Sequence, residues 1–579
     1  MKTTARPVAA PASRPLDGTV VRASGGSVAV RVAAARLRAL GCLIETADGP
    51  PPPDAPAGLL RVVRAPWTAA GGALPECRIG WSGPVRVPMA GERDVQAACG
   101  IMHVHGRATG GPRALRIDYA SVCAGVLAAQ AVTAGMLAVL RGGMAVRAAT
   151  SVAQAAALAL TQYVAVATTT DPGSGSSRPE PGPSRPEPGL ERTPPFRSAV
   201  GVRFEIETFR AEAWLRFWTE AGAERSAIAA GWTPFQQRFA TATCTLPSGL
   251  QATAAALEYA ALRRAAEAAG VSIVAVNGAG TPLPPAPSSP WRLRPLPSAP
   301  ATEPVHAPDD LAQREDGPLA GIRVVEAANR VQGPLAGHVL GLLGADVVRL
   351  EPPGGDPMRG VPPMAGPFSA RFLALNRGKD AVEADLKSRA GRATALRLAA
   401  SAEVFLQNWA PGRAARFGLD AADLAAVRPG LVYAYAGGWA DVLPAPQPMG
   451  TDYLVQAHTG VAALLSGPGR PPAPTLMTII DVLGALISAE GVVAGLLGAA
   501  RTGAGVRVET ALADAGRLLR ENAAAGPSTA GEAVPVVSDL AVMAADPAYA
   551  ALFETDGAAC YSRAPWTFTR AADHHRGGS

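Results

Sequence analysis

The sequence predicts an α/β protein with a Rossmann-like parallel sheet, carried twice as a degenerate and an intact copy, with a small α+β domain between. Three observations lead there. Predicted strands and helices alternate through the C-terminal half, which implies βαβ units and a parallel sheet. The chain repeats itself at matched spacing. Proline-rich stretches divide it, and 579 residues exceed one ordinary core.

The first copy, residues 1–168, opens on Pro15-Leu16-Asp17-Gly18 and runs through an alanine-rich helical stretch to Leu40-Gly41. The second, residues 317–520, opens on Pro318-Leu319-Ala320-Gly321 and reaches Leu343-Gly344 with the same spacing. Further on, each copy has an aspartate, a long apolar helix and a short Val-Arg strand, and this pattern sets Asp118 opposite Asp481. Between Gly41 and Asp118 lie 76 residues, against 136 between Gly344 and Asp481. The missing stretch is where the second copy carries its polar loops, so the first copy reads as degenerate.

Residues 169–196 hold a tandem Pro/Glu/Gly repeat that cannot bury enough apolar surface to fold, so an extended spacer is expected. Residues 278–316 predict a second spacer, because proline fixes φ and removes donors. Residues 197–277 between them predict the small domain: a helix around Trp214 and Trp218, another at 251–269 and a strand at 271–276. In the second copy, strands are expected at 322–327, 346–351, 404–407 and 431–436. Helices are expected at 333–343, 388–401 and 421–427. Ligands of such a sheet sit at the carboxyl ends of its strands.

Composition narrows the function. The formal charge is +6, but the basic residues are dispersed and not interleaved with aromatics, which argues against nucleic acid. A mild positive balance suits an anionic ligand. Lysine occurs only as Lys2, Lys379 and Lys387. The cysteines, Cys42, Cys77, Cys99, Cys123, Cys244 and Cys560, show neither zinc spacing nor a disulfide framework, so free thiols, no metal and a cytoplasmic setting are expected. Residues 121–140 are uncharged and long enough to cross a bilayer. Gln130 within them, and Glu490 in their counterpart, favour a buried helix and no membrane. The N-terminus lacks the apolar core of a signal peptide.

The second copy places polar loops after its strands: Asn329-Arg330-Val331-Gln332-Gly333-Pro334, Gly354-Gly355-Asp356-Pro357, Asn376-Arg377-Gly378-Lys379, Asp385-Leu386-Lys387, Asn408-Trp409-Ala410-Pro411-Gly412 and Arg416-Phe417-Gly418. Asp481 then stands between Ile479-Ile480 and Val482-Leu483. Burying a carboxylate among aliphatics is costly unless it is paired, so Asp481 needs a reason, either as a helix cap or as a reacting group.

In their order and spacing these motifs resemble the class III CoA transferases, the CaiB/BaiF or carnitine-dehydratase family. The resemblance is close over 318–519 and continues in a return segment at 534–570. It implies CoA or acyl-CoA as substrate with a small carboxylic acid as partner. It implies CoA-binding roles for Gln332, Gly333, Lys387, Asn408, Trp409, Arg416 and Lys379, and catalytic roles for Asp481 and Asp452. The implied reaction moves CoA between acids through an aspartyl anhydride and an aspartyl-CoA thioester. Racemases of the superfamily carry His before the acid matching Asp452, and Thr451 stands there. An acyl-CoA epimerase or isomerase, and a non-catalytic CoA-binding partner, are the alternatives. The family forms interlocked homodimers, so this chain is expected to be a fused pseudo-dimer or a homodimer. The first copy has Ala29 for Gln332 and Arg31 for Pro334, so no CoA site is expected there, and Asp118 reads as structural or vestigial. The acids themselves are not legible.

Overall fold

A computed structural model describes residues 14–47, 49–68, 72–143, 145–169, 193–283, 289–296, 317–439, 442–467, 469–523 and 534–570. The two proline-rich stretches fall largely outside these residues. Parts of both are structured, however, against the expectation of spacers throughout. Residues 193–196 belong to the small domain, and the second stretch contains the strand Arg292–Pro295.

The second copy forms a seven-stranded sheet. Its order is Asp380–Glu383, Asp346–Glu351, Arg323–Ala327, Val404–Gln407, Val432–Gly437, Val506–Ala511 and Arg292–Pro295. The first six are parallel, as expected of βαβ units, and the last is antiparallel. Pro295 is tolerated because its strand lies at the sheet edge, where the missing N–H costs no ladder bond. The first copy departs from the parallel pattern. In its six-stranded sheet, Gly58–Arg64 lies antiparallel between Val20–Ser24 and Glu76–Gly80. A short hairpin strand thus replaces the deleted βαβ region.

The halves interlock through their ends. Arg292–Pro295, which follows the first copy, completes the second sheet beside Val506–Ala511. Thr567–Arg570, at the end of the second copy, completes the first sheet beside Val146–Ser151. Arg292 pairs with Glu509 and Thr567 with Ala149, the same register in both halves. Trp291 and Trp566 precede these strands and are both buried.

The long helices Tyr119–Leu140 and Ile479–Thr502 pack on each other and on the sheets of their own halves. Both are apolar enough to cross a membrane, yet 94% of each apolar window is buried within the protein. Across this seam, the Nε of Arg36 donates to Glu490 at 2.6 Å, and both side chains are buried. Arg36 also lies 4.8 Å from the ring centre of Trp291.

The small domain has antiparallel strands Phe196–Arg197, Arg203–Glu207 and Ser272–Ala275 around an aromatic core that includes Trp214, Trp218 and Phe235. The helix expected at 251–269 is two, Ser248–Ala256 and Tyr259–Ala269, and Arg225–Thr241 is a further helix with Pro234 inside it. This domain follows the first copy in sequence but covers the strand ends of the second.

Candidate active site

A cavity of about 1780 Å³ opens at the carboxyl ends of the second sheet, walled on one side by the small domain. Asp481 lies on its floor, in the first turn of Ile479–Thr502, with its side chain half-buried. The helix start is held by another acid. Asp452 Oδ2 accepts the backbone N–H of Ile480 at 2.7 Å and of Asp481 at 2.9 Å. Asp452 Oδ1 accepts from Gln456 Nε2, which also binds the carbonyl of Thr475. Asp452 therefore spends its oxygens on seating the helix. Its bonds to a helix N-terminus favour the charged form, yet burial pushes its pKa up to about 7.

Asp481 is held well above the usual carboxylate range, first by burial and then by the neighbouring charges of Asp452 and Glu207. Arg330 opposes that shift. Glu207 comes from the small domain and accepts from Arg238 Nη2 at 3.1 Å. Arg330 adopts a left-handed backbone, φ 66°, and its guanidinium lies over Phe209 at 3.4 Å from the ring centre. Neither Glu207 nor Arg330 stood out in the sequence. Glu207 lies far away along the chain, and the arginine of the Asn329-Arg330 loop carried no assigned role.

The residues expected to bind CoA divide into groups. Gln332, Asn408 and Trp409 line the cavity. Asn408 exchanges hydrogen bonds with the backbone of Asn329, at 3.0 and 2.8 Å, and so ties two of the loops together. Trp409 packs edge-on to Phe417 at 5.4 Å. Gly333 sits behind the wall, where a Cβ would collide with Ala328, so it serves close packing of helix on loop. Lys387 and Arg416 are exposed and lie outside the lining; Arg413 lines the mouth instead.

Lys379 is a correction. Its ammonium is buried and bonds to Glu326 Oε2 at 2.7 Å, the carbonyl of Pro334 at 2.6 Å and Asn376 Oδ1 at 3.0 Å. With Arg349 bridging Glu326, Glu351 and Asp356, it completes a buried charge network beneath the loops. All three ammonium protons are used, so none is left for a phosphate.

The internal pairing of aspartates is also corrected. Asp118 (φ −81°, ψ 56°) matches Thr478 (φ −80°, ψ 56°) as the residue before the helix. Glu92 accepts the N–H of Ala120 at 3.0 Å and of Ser121 at 2.7 Å, and Gln96 supports it as Gln456 supports Asp452. Ser121, not Asp118, therefore occupies the position of Asp481.

Comparison with known proteins shows the family. The model of CoA-transferase family III matches residues 79–281 and 319–556. The chain belongs to that family. The succinate–glutarate CoA-transferase of Agrobacterium fabrum is 34% identical over 216 residues, covering 35% of this chain and 53% of the relative. The acetyl-CoA:oxalate CoA-transferase of Acetobacter aceti is 32% identical over 200 residues, covering 34% and 51%. A crystal structure of a CaiB/BaiF family protein from Brucella suis is 34% identical, covering 35% of this chain and 55% of that one, with a TM-score of 0.34. The chain thus spans about half the length of the curated relatives it matches.

Proposed function

We propose that this family III chain moves CoA from an acyl-CoA to a carboxylic acid, with Asp481 as nucleophile. The observation that carries this reading is a carboxylate seated by Asp452 at the floor of a large cavity, beside loops of CoA-binding type. The relatives named as CoA-transferases, acting on succinate, glutarate and oxalate, support the same reading.

The Asp481 carboxylate attacks the thioester carbonyl, the C–S bond breaks, and CoA thiolate leaves behind a mixed anhydride. The thiolate then attacks the Asp481 carbonyl, giving an aspartyl-CoA thioester and releasing the first acid. The acceptor carboxylate displaces CoA to form a second anhydride. The thiolate attacks the acceptor's acyl carbon, which releases product and restores Asp481. Anhydrides hydrolyse readily, and the aliphatic flanks Ile479, Ile480, Val482 and Leu483, all buried, limit the approach of water. Asp452 acts as a positioning residue. Gln332, Asn408 and Trp409 hold CoA inside the cavity, and Lys387 and Arg416 meet its phosphates at the rim.

Incubation with acyl-CoA followed by hydroxylamine or borohydride is expected to modify Asp481. An active preparation with Asp481 unmodified would overturn the mechanism. Glu207 beside Asp481 favours one second reading, proton exchange at the α-carbon between two acids. It predicts deuterium uptake into acyl-CoA without any acceptor.

The reciprocal strand exchange supports a fused pseudo-dimer, a monomer with a single site. Light scattering showing a dimer, with two labelled aspartates per chain, would refute it.

A further inference from the structure

Several cations line the cavity, and most have carboxylate partners or solvent. Arg238 is bonded to Glu207, Arg292 lies 3.5 Å from Asp514, and Arg413 is exposed. Arg371 differs. Its side chain belongs to the cavity wall and is only 3% exposed. One nitrogen, Nη2, bonds to the carbonyl of Ala240, and Nε is buried with no partner. No carboxylate among the described residues lies within 4.0 Å of it. Its charged neighbour is another cation, Arg107, and its ring neighbours are Tyr163, at 6.0 Å, and Tyr453. Burial draws its pKa down to about 10. A guanidinium buried without a counter-charge is costly, so a ligand that supplies one would be bound strongly.

The surroundings show which part of a substrate reaches it. Tyr163 donates to the carbonyl of Phe239 at 3.2 Å and is hydrogen-bonded to Thr478, three residues before Asp481. Tyr453 directly follows Asp452. Arg371 is thus tied to the small domain through Ala240 and neighbours Tyr163 and Tyr453, whereas Asn408, Trp409 and the exposed Arg413 belong to the loop where the nucleotide is expected. A planar carboxylate at the far end of an acyl chain that reacts at Asp481 matches the planar guanidinium fork.

We infer that Arg371 binds the distal carboxylate of a dicarboxylic substrate, so that the transferred acyl group carries a second acid at its other end. This rests on the transfer reading above. The carboxylate nearest Asp481 reacts, and the second one pairs with the planar guanidinium.

Two measurements on the full chain test it. In thermal-shift assays glutarate, but not butyrate, is expected to stabilise the wild type, and R371M is expected to abolish that response. In transfer assays R371M is expected to raise KM for glutarate by about 10- to 100-fold while leaving butyrate unchanged. R371K, keeping the charge, retains part of the preference. Unliganded R371M is expected to melt at or above the wild-type temperature, since it removes an unpaired buried charge; a purely structural arginine would give a lower one. Equal loss with glutarate and butyrate would overturn the inference, because Arg371 would then hold the reacting carboxylate. So would a wild type that binds butyrate as well as glutarate. A chain that transfers no CoA, but binds glutarate through Arg371, would sink the reaction and leave the site standing.

Discussion

In the second half, the carboxylate of Asp452 grips two N–H groups at the head of a long apolar helix, and Asp481 projects from that head. In the first half, Glu92 grips the same two N–H groups of the sister helix, and Ser121 projects. The Ser121 hydroxyl turns back onto Glu92 at 2.6 Å and is buried. The joint is common to both halves, so it belongs to the architecture: a buried acid and a glutamine one turn later brace the helix start. The chemistry proposed above belongs to one position on that joint and to the loops around it. The first half kept the brace after losing the loops, because without it a helix N-terminus would be buried unsatisfied.

The largest effect expected from breaking this contrast is at Asp481. D481A should lower transfer by roughly 10⁴-fold or more, as removal of a nucleophile does. S121D should restore nothing, since the first half lacks the CoA loops. Intact-mass measurement after acyl-CoA treatment checks both, and a second adduct on S121D would show that the aspartate alone makes a site.

The seam between halves is asymmetric as well. Arg36 and Glu490 form a buried ion pair, whereas the matching positions carry Val339 and Gln130. Removing one partner, in R36M or E490M, should cost about 3–5 kcal/mol, and R36M/E490M should recover most of it. Urea unfolding of the three variants tests this, and additive losses would mean that the two residues do not act as a pair.

A smaller shift is expected in the pH profile. In the proposed reaction Asp481 must be ionised to attack, and its pKa is raised, so transfer should rise with pH through the titration of the carboxylates around it. Arg330 opposes the raised value and Glu207 adds to it. R330M should therefore move the acid limb up by about one pH unit, and E207Q should move it down. Limbs that stay in place would remove both residues from the electrostatics of Asp481.

The smallest change is expected at the rim. K387M and R416M should each raise KM for acyl-CoA only a few-fold, on the order of 2–5, with the effect fading at high salt. K379M should instead lower the melting temperature, because it leaves Glu326 buried with one partner fewer.

Much of the fold was legible because periodicity and punctuation carry it. Strands of the second sheet fall within a residue or so of their expected limits, and Gln332, Asn408, Trp409 and Asp481 do meet at one cavity. Three features were hidden for physical reasons. Asp118 lies three residues before Ser121, nearly one helical turn, so matching aspartate to aspartate slipped the register that Gly135 with Gly495 and Arg141 with Arg501 would have set. Lys379 is a rare lysine in a loop motif, but nothing in its sequence neighbourhood reveals that Glu326 lies beneath it. Arg371 and Glu207 reach the cavity only through tertiary packing, Arg371 across the carbonyl of Ala240 and Glu207 from a domain that follows the other copy.

The exchanged end strands also bear on how the chain is made. Arg147 and Thr569, bonded across the edge of the first sheet, are 422 positions apart. On the ribosome, the strand Val146–Ser151 emerges early and waits with an open edge until the last residues of the second half are released. The first half, though translated first, is therefore the last to be finished. Its exposed edge during that interval is a point at which a nascent chain is open to pairing with the wrong partner.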